Sequence, residues 1–374
     1  MKKSILALAV AAALTAPLAA QADTILYGSA RVSVDYVDEG STDPFDNSNG
    51  VWDVTNNSSR LGVLGSEDLG GGLSAIYQYE FGVDVTDGGN LESNRPKYVG
   101  LKGGFGQISL GTQETPYYHV AGIIDIFNTD RSLGSTAFLG GSFNGFKLNP
   151  GNDRDLADGS LFRLENSLYY TTPDFNGFSA EAMLVMNGAS NDSQGYSDSV
   201  DLWNLTAKYS NGPFFAGISY IQLDGDDNVF LGELADGTNL SIDLDLNQWI
   251  AGLGYTGGPF SVGLIYEQGT INEFGLLGTA KFDGVRLLGN NDASNWYLTG
   301  EYRFGNNTIR AAYGQLDTGL DIPGFDETID NYLVGYQYDL SKRTRIWVEY
   351  VGRSAEGVLY EDANAVSIGT RIDF

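Results

Sequence analysis

Cysteine is absent from the 374 residues, histidine occurs once and methionine three times. No disulfide framework, thiolate metal site or cysteine nucleophile is therefore open to the chain. A single histidine, His119, leaves little scope for His-based catalysis or a His-rich metal cluster. Base is scarce too. Lys and Arg number 21 against 48 Asp and Glu, a formal charge of −27 at pH 7, which argues against nucleic acid as a partner. Long apolar runs are also missing. A membrane-crossing helix needs about 20 consecutive apolar residues, and the longest run here, 5–16, has 12. What is plentiful is glycine, 50 residues, and aromatic side chains, 12% of the chain. That aromatic content is too high for a chain with nothing to bury.

Residues 1–22 read as a cleaved export signal. Lys2 and Lys3 form a positive start, 5–16 an apolar stretch, and Ala20-Gln21-Ala22 a cleavage site. Loss of the two lysines takes the formal charge from −27 to −29 over 23–374, expected to be one domain outside the cytoplasm.

Beyond Asp23 the hydropathy alternates with period two. Leu26, Gly28, Ala30, Val32, Val34 and Tyr36 share one parity; Tyr27, Ser29, Arg31, Ser33 and Asp35 share the other. Side chains alternate across a strand, so one face is apolar and the other polar. The pattern returns in 178–186, 203–209, 249–255, 260–266, 296–302 and 332–338, and no helical spacing of comparable length competes with it. Such strands suit either a soluble sandwich or a transmembrane barrel with its apolar face outward. The connections discriminate. Short turns at 67–72, 103–106, 173–177, 211–213, 257–259, 305–307 and 340–343 alternate with longer polar stretches. Short inner turns and long outer loops are the mark of outer-membrane barrels. Seven turns and eight loops predict sixteen antiparallel strands, an all-β transmembrane barrel. Aromatic clusters at Tyr79 and Phe81, Tyr169 and Tyr170, Phe214 and Phe215, and Tyr336 and Tyr338 are read as its interfacial girdles.

These residues resemble a known family. The run Ser59-Arg60-Leu61-Gly62-Val63-Leu64-Gly65-Ser66-Glu67-Asp68-Leu69-Gly70 looks like the second strand and first periplasmic turn of the trimeric general porins of Gram-negative bacteria. GLKGGFGQISLGTQ (100–113) and RLENSLYYTTPDFNGFSAEAML (163–184) are similar to further segments of that family, and the terminal Phe374 resembles its assembly signal. The resemblance implies a homotrimer in the outer membrane, insertion by the barrel-assembly machinery, and passive diffusion of small hydrophilic solutes. It implies no cofactor and no enzymatic activity. It also implies that the third outer loop, here 113–162, folds into the lumen. This loop departs from the enteric members: their Pro-Glu-Phe-Gly-Gly-Asp stretch is replaced by Glu114-Thr115-Pro116-Tyr117-Tyr118-His119.

By strand parity Arg31, Arg60, Arg95, Lys97 and Arg163 are expected to line the lumen as a basic wall. Arg60 and Arg95 also match the family's arginine cluster. The acids expected opposite, on the loop, are Glu114, Asp125 and Asp130. A transverse field between them orients polar solutes. The outer loops are acidic, with five acids and no base over 38–53 and seven acids and no base over 224–245. Loose divalent bridging to lipopolysaccharide suits them better than a dedicated site. Asp224-Gly225-Asp226-Asp227-Asn228 is too short for a full calcium loop. Gly252–Gly257 matches G-x-G-x-x-G, but it ends a strand and no helix follows. A substrate-selective porin with a sugar, amino-acid or anion track is the alternative; a barrel enzyme is disfavoured by the single His and the lack of G-x-S-x-G. Acids at the mouths are expected to outweigh the basic wall and give moderate cation selectivity.

Phe374→Ala should lower the amount of folded protein in the membrane while single-channel conductance of the surviving channels stays unchanged. Normal membrane levels of the variant would contradict the assembly role.

Overall fold

A computed structural model describes residues 23–38, 50–88, 90–92, 95–129, 139, 161–186, 200–224, 229–233, 236–243, 245–271, 281–282, 285–286, 292–319, 328–355 and 362–374. The expected signal segment 1–22, Asp130 and the acidic run 225–228 lie outside these residues. Sixteen antiparallel strands close into a barrel. They are β1 (Asp23–Asp38), β2 in two segments (Val51–Asn56 and Arg60–Gly70), β3 (Leu73–Val83), β4 (Lys97–Gly103), β5 (Gly106–Glu114), β6 (Arg163–Thr171), β7 (Phe178–Val185) and β8 (Leu202–Asn211). There follow β9 (Phe214–Leu223), β10 (Leu246–Gly257), β11 (Phe260–Gly269), β12 (Ala293–Phe304), β13 (Asn307–Asp317), β14 (Thr328–Asp339), β15 (Thr344–Ala355) and β16 (Ala363–Asp373). Each strand pairs with its chain neighbours. The seam is β1 on β16, in continuous register from Ser29↔Asp373 to Asp38↔Asn364. Backbone bonds between Gly28 and Phe374, 3.0 and 3.1 Å, extend it to the chain end.

All seven short turns fall where turn chemistry puts them. Two-residue connections of this kind need φ > 0, which glycine adopts without a Cβ clash; Gly212 and Gly258 both sit at φ 57°. One feature of the outer side was not legible as strand. Val229–Glu233, Asn239–Ile242, Lys281–Phe282 and Val285–Arg286 form a four-stranded sheet that joins the loops after β9 and β11.

Polarity is inverted relative to a soluble protein. Leu26 is 64% exposed, Leu253 60%, Phe214 58% and Ile368 58%, whereas Ser33, Asn204, Glu267 and Glu349 are buried inside. No helix among the described residues is long and apolar enough to cross a membrane; the exposed apolar faces of the strands are the surface that lipid covers. Parity corrects two of the aromatic pairs. Neighbouring residues on a strand face opposite ways, so Tyr170 and Phe214 point outward, while Tyr169 lines an interior cavity and Phe215 packs on inward-facing glycines.

Glycines inside strands follow a rule. Tyr27 is directly opposite Gly62, Tyr77 opposite Gly65, Tyr297 opposite Gly314, Tyr332 opposite Gly352 and Trp347 opposite Gly369. In each case the ring lies over the glycine, where a Cβ would collide with it. A strand glycine has no side chain to pack, and the cross-strand ring supplies the missing cover. Gly314→Ala should therefore push aside the buried Tyr297 and lower barrel stability by roughly 1–3 kcal/mol, the range for overpacking. Urea titration of the folded channel checks this; an unchanged midpoint would refute it.

Candidate functional site

The loop after β5 turns inward at once. Thr115 caps a short helix, α1 (Pro116–Ala121), its Oγ1 accepting from the Tyr118 amide at 3.1 Å and donating to the Leu161 carbonyl at 2.8 Å. Pro116 suits the first helical position because its missing N–H would have had no partner there. A 3₁₀ turn, Gly122–Ile124, continues the path.

This segment lies flat on the inner wall because the wall is made to receive it. The Tyr117 amide donates to Asn204 at 2.7 Å, and its phenol donates to Glu267. Val120 rests on Gly217 and Gly252, and Ile123 on Gly252 and Gly263, so closely that added Cβ atoms would contact the loop. Further on, the amides of Asn128 and Thr129 donate to the Glu349 carboxylate at 2.9 and 2.8 Å, and Phe127 covers Gly335. The loop is thus held from β8 round to β15. Among the described residues, the side left open is formed by β1–β6 and β16. A cavity of about 540 Å³ lies there, its lining including Arg60, Arg371, Tyr98, Glu114, His119 and Tyr169.

On that open side Arg345, Arg371 and Arg31 stand directly opposite one another across β15, β16 and β1. Like charges in that position repel. Asp373 relieves the repulsion, accepting from Arg345 at 2.8 Å and from Arg371 at 2.7 Å. Arg60 is opposite Ser29, one step along. Arg31 donates to the Ser29 hydroxyl at 3.1 Å and lies within electrostatic reach of Arg60, Arg371, Asp125 and Asp373. The ladder of β2 breaks at 57–59 beside this cluster, where Ser58 has φ 56° and the Arg31 backbone bonds Asn57 and Ser59.

The other expected site residues are placed as follows. Arg95 is buried, 3.7 Å from Glu80, with a 3.4 Å bond to the Ser58 carbonyl. Lys97 does not face the lumen. It is opposite Tyr79 and Thr112 and sits 4.8 Å over the Phe81 ring, on the outer face with the exposed Val99 and Leu101. The parity of β4 is reversed from the expectation because Tyr98, taken there as a lipid-facing aromatic, is the residue that points into the cavity. Arg163 and Glu114 meet each other at the loop's base, 3.6 Å apart, with Arg163 5.8 Å over the Tyr118 ring. Asp125 ends the 3₁₀ turn and accepts from the Tyr118 hydroxyl at 3.4 Å. Phe374 covers Gly28 at the seam.

A family model described as Gram-negative porin matches residues 7–354. The chain belongs to that family: it is a channel-forming barrel of the bacterial outer membrane. Among similar sequences, the major outer membrane protein P.IB of Neisseria gonorrhoeae is 29% identical over 92% of this chain and 91% of that one. Outer membrane porin protein 32 of Delftia acidovorans is 29% identical over 93% and 88%. Among solved structures, an anion-selective porin from Comamonas acidovorans superposes with a TM-score of 0.70 at 20% identity, covering 95% of this chain and all 100% of that one. Salmonella typhi OmpF reaches 0.63 at 15% identity, over 94% and 97%.

Sequence reasoning did not join Arg345, Arg371 or Asp373 to the site. It also missed the glycine seat. Inward-parity glycines on three successive strands, Gly217, Gly252 and Gly263, are the signal that an internal segment lies against the wall. Glu349→Ala should leave the amides of Asn128 and Thr129 without their acceptor and release that part of the inward loop. Single-channel recordings should then show increased open-channel current noise; noise equal to wild type would show that the anchor is dispensable.

Proposed function

We propose that the protein is a diffusion channel for small hydrophilic solutes and ions, assembled as a homotrimer through the apolar outer faces of the first strands and the last. The observation that carries this reading is the inward loop held against one half of the wall, which leaves a narrowed water-accessible passage beside the arginine row. Residues 1–22 serve as the export signal, Phe374 as the mark read by the assembly machinery, and the acidic outer loops meet lipopolysaccharide through divalent cations. This arrangement is a passage and not a catalytic centre.

Selectivity is set by two opposed charge sets. The outer mouth carries the excess of acid, which concentrates cations within a Debye length of about 8 Å at physiological salt. The constriction carries Arg31, Arg60, Arg345 and Arg371, of which Asp373 balances one; Arg95, with Glu80, and Arg163, with Glu114, add no net charge. Mouth acids are many but screened; the arginines are few but act at close range. The reading for this chain is cation preference at low salt that weakens as salt rises. The arginine row favours a second reading, an anion track, and the neighbour from Comamonas acidovorans is titled anion-selective.

Reversal potentials across a KCl gradient separate the two. Replacing Arg60 and Arg371 together by Gln should increase the cation preference of the channel. Anion preference of the unaltered channel at low salt would establish the second reading, and no response to the double change would show that the arginines do not set the field.

A further inference from the structure

We propose that His119 makes the ion selectivity of the constriction depend on protons: its protonation adds a positive charge to the passage that the surrounding groups leave uncancelled. The inference rests on the diffusion-channel reading but not on which ion that channel prefers. His119 is the only histidine of the chain. It stands in the last turn of α1, its side chain 30% exposed, and it lines the cavity that holds Arg60 and Arg371.

The ring is held in a defined way. Nδ1 is 2.9 Å from Glu181 Oε2 on β7, and the ring meets Tyr169 of β6 edge-on at 6.2 Å. A carboxylate can only accept, so Nδ1 keeps its hydrogen and the proton-binding nitrogen is Nε2. Nε2 is directed toward Glu114, 3.9 Å away.

The groups facing the ring decide what its charge does. Glu181 is already paired through its other oxygen with Lys208 of β8. Glu114 is already 3.6 Å from Arg163. From β10 and β11 the loop meets Glu267, which the Tyr117 phenol occupies. Across the cavity stand Arg60, Arg371, Asp373 and Glu80, the last paired with Arg95; on its own loop the nearest acid is Asp125, held by Tyr118. The two carboxylates within 4 Å of the imidazole, Glu181 and Glu114, thus each have their own cation. A protonated His119 therefore joins the arginine side of the balance instead of being neutralised.

Imidazole is the side-chain class that changes charge between about pH 5 and 8. Acidification should accordingly shift the channel away from cations. One added charge on the lining of a water-filled passage changes relative permeability by about twofold.

The test is the K⁺/Cl⁻ permeability ratio of purified channels in a planar bilayer at pH 8 and at pH 5.5, for the unaltered protein, for His119→Gln, and for the unaltered protein acylated with diethyl pyrocarbonate. The expected result is a fall of about twofold on acidification of the unaltered channel, and a flat ratio for both H119Q and the acylated channel. Should H119Q fail to form channels, acylation of the folded protein decides alone. A ratio that does not move with pH in the unaltered channel, or that moves equally after substitution or acylation, overturns the proposal. Absence of any conductance from the unaltered protein would instead overturn the channel reading.

Discussion

The structure depends on one constraint: inside a lipid bilayer every backbone N–H and C=O must find its partner within the protein. A sheet meets that demand only when it has no edge. The β1–β16 seam is therefore the interaction on which the rest is built, running from Asp38↔Asn364 down to the bonds between Gly28 and Phe374. Closure in turn gives the sheet an inside, and the period of two sends half the side chains there. Lipid takes the apolar half. The polar half lines a space that would be wide and featureless without the loop after β5.

That loop brings the same demand indoors. Its amides and hydroxyls lie against a protein wall, and each anchor answers a specific need: Asn204 for the Tyr117 amide, Glu267 for its phenol, Glu349 for the amides of Asn128 and Thr129. Close approach is possible because the wall carries glycine at Gly217, Gly252, Gly263 and Gly335. Among the described residues, anchoring on β8–β15 leaves β1–β6 and β16 uncovered, so the basic row and the cavity fall on the same side. Three arginines in cross-strand register are unfavourable for a sheet. Here one carboxylate, Asp373, and the break in β2 accommodate them, in keeping with bulges being frequent next to functional sites.

Acid and base are consequently arranged as pairs within the wall and as an excess of arginine at its open side. Glu80 with Arg95, Glu114 with Arg163, Glu181 with Lys208 and Glu301 with Arg310 are each close partners. For Glu80 with Arg95 and Glu301 with Arg310, whose side chains are all buried, pairing avoids leaving a lone charge in low dielectric, which would cost several kcal/mol. The net formal charge of −27 for the whole chain therefore says little about the sign of the field at the narrowest point.

Strand number, strand parity on most strands, the seven turns and the outward apolar face were legible in the sequence because they rest on neighbours a few residues apart: alternation within a strand and φ > 0 at glycine turns. The same local logic misplaced Lys97, since Tyr98 alone cannot say whether an aromatic faces lipid or a cavity. What the loop touches could not be read at all. Asn128 meets Glu349 across 221 positions, and the row Arg345–Arg371–Arg31 exists only because closure brings the last strands beside the first. Period and turn chemistry are local, so sequence alone determined the barrel. Which charges face one another across its lumen depends on the curvature of the closed sheet and the path of one loop over it, and only the tertiary structure decided that.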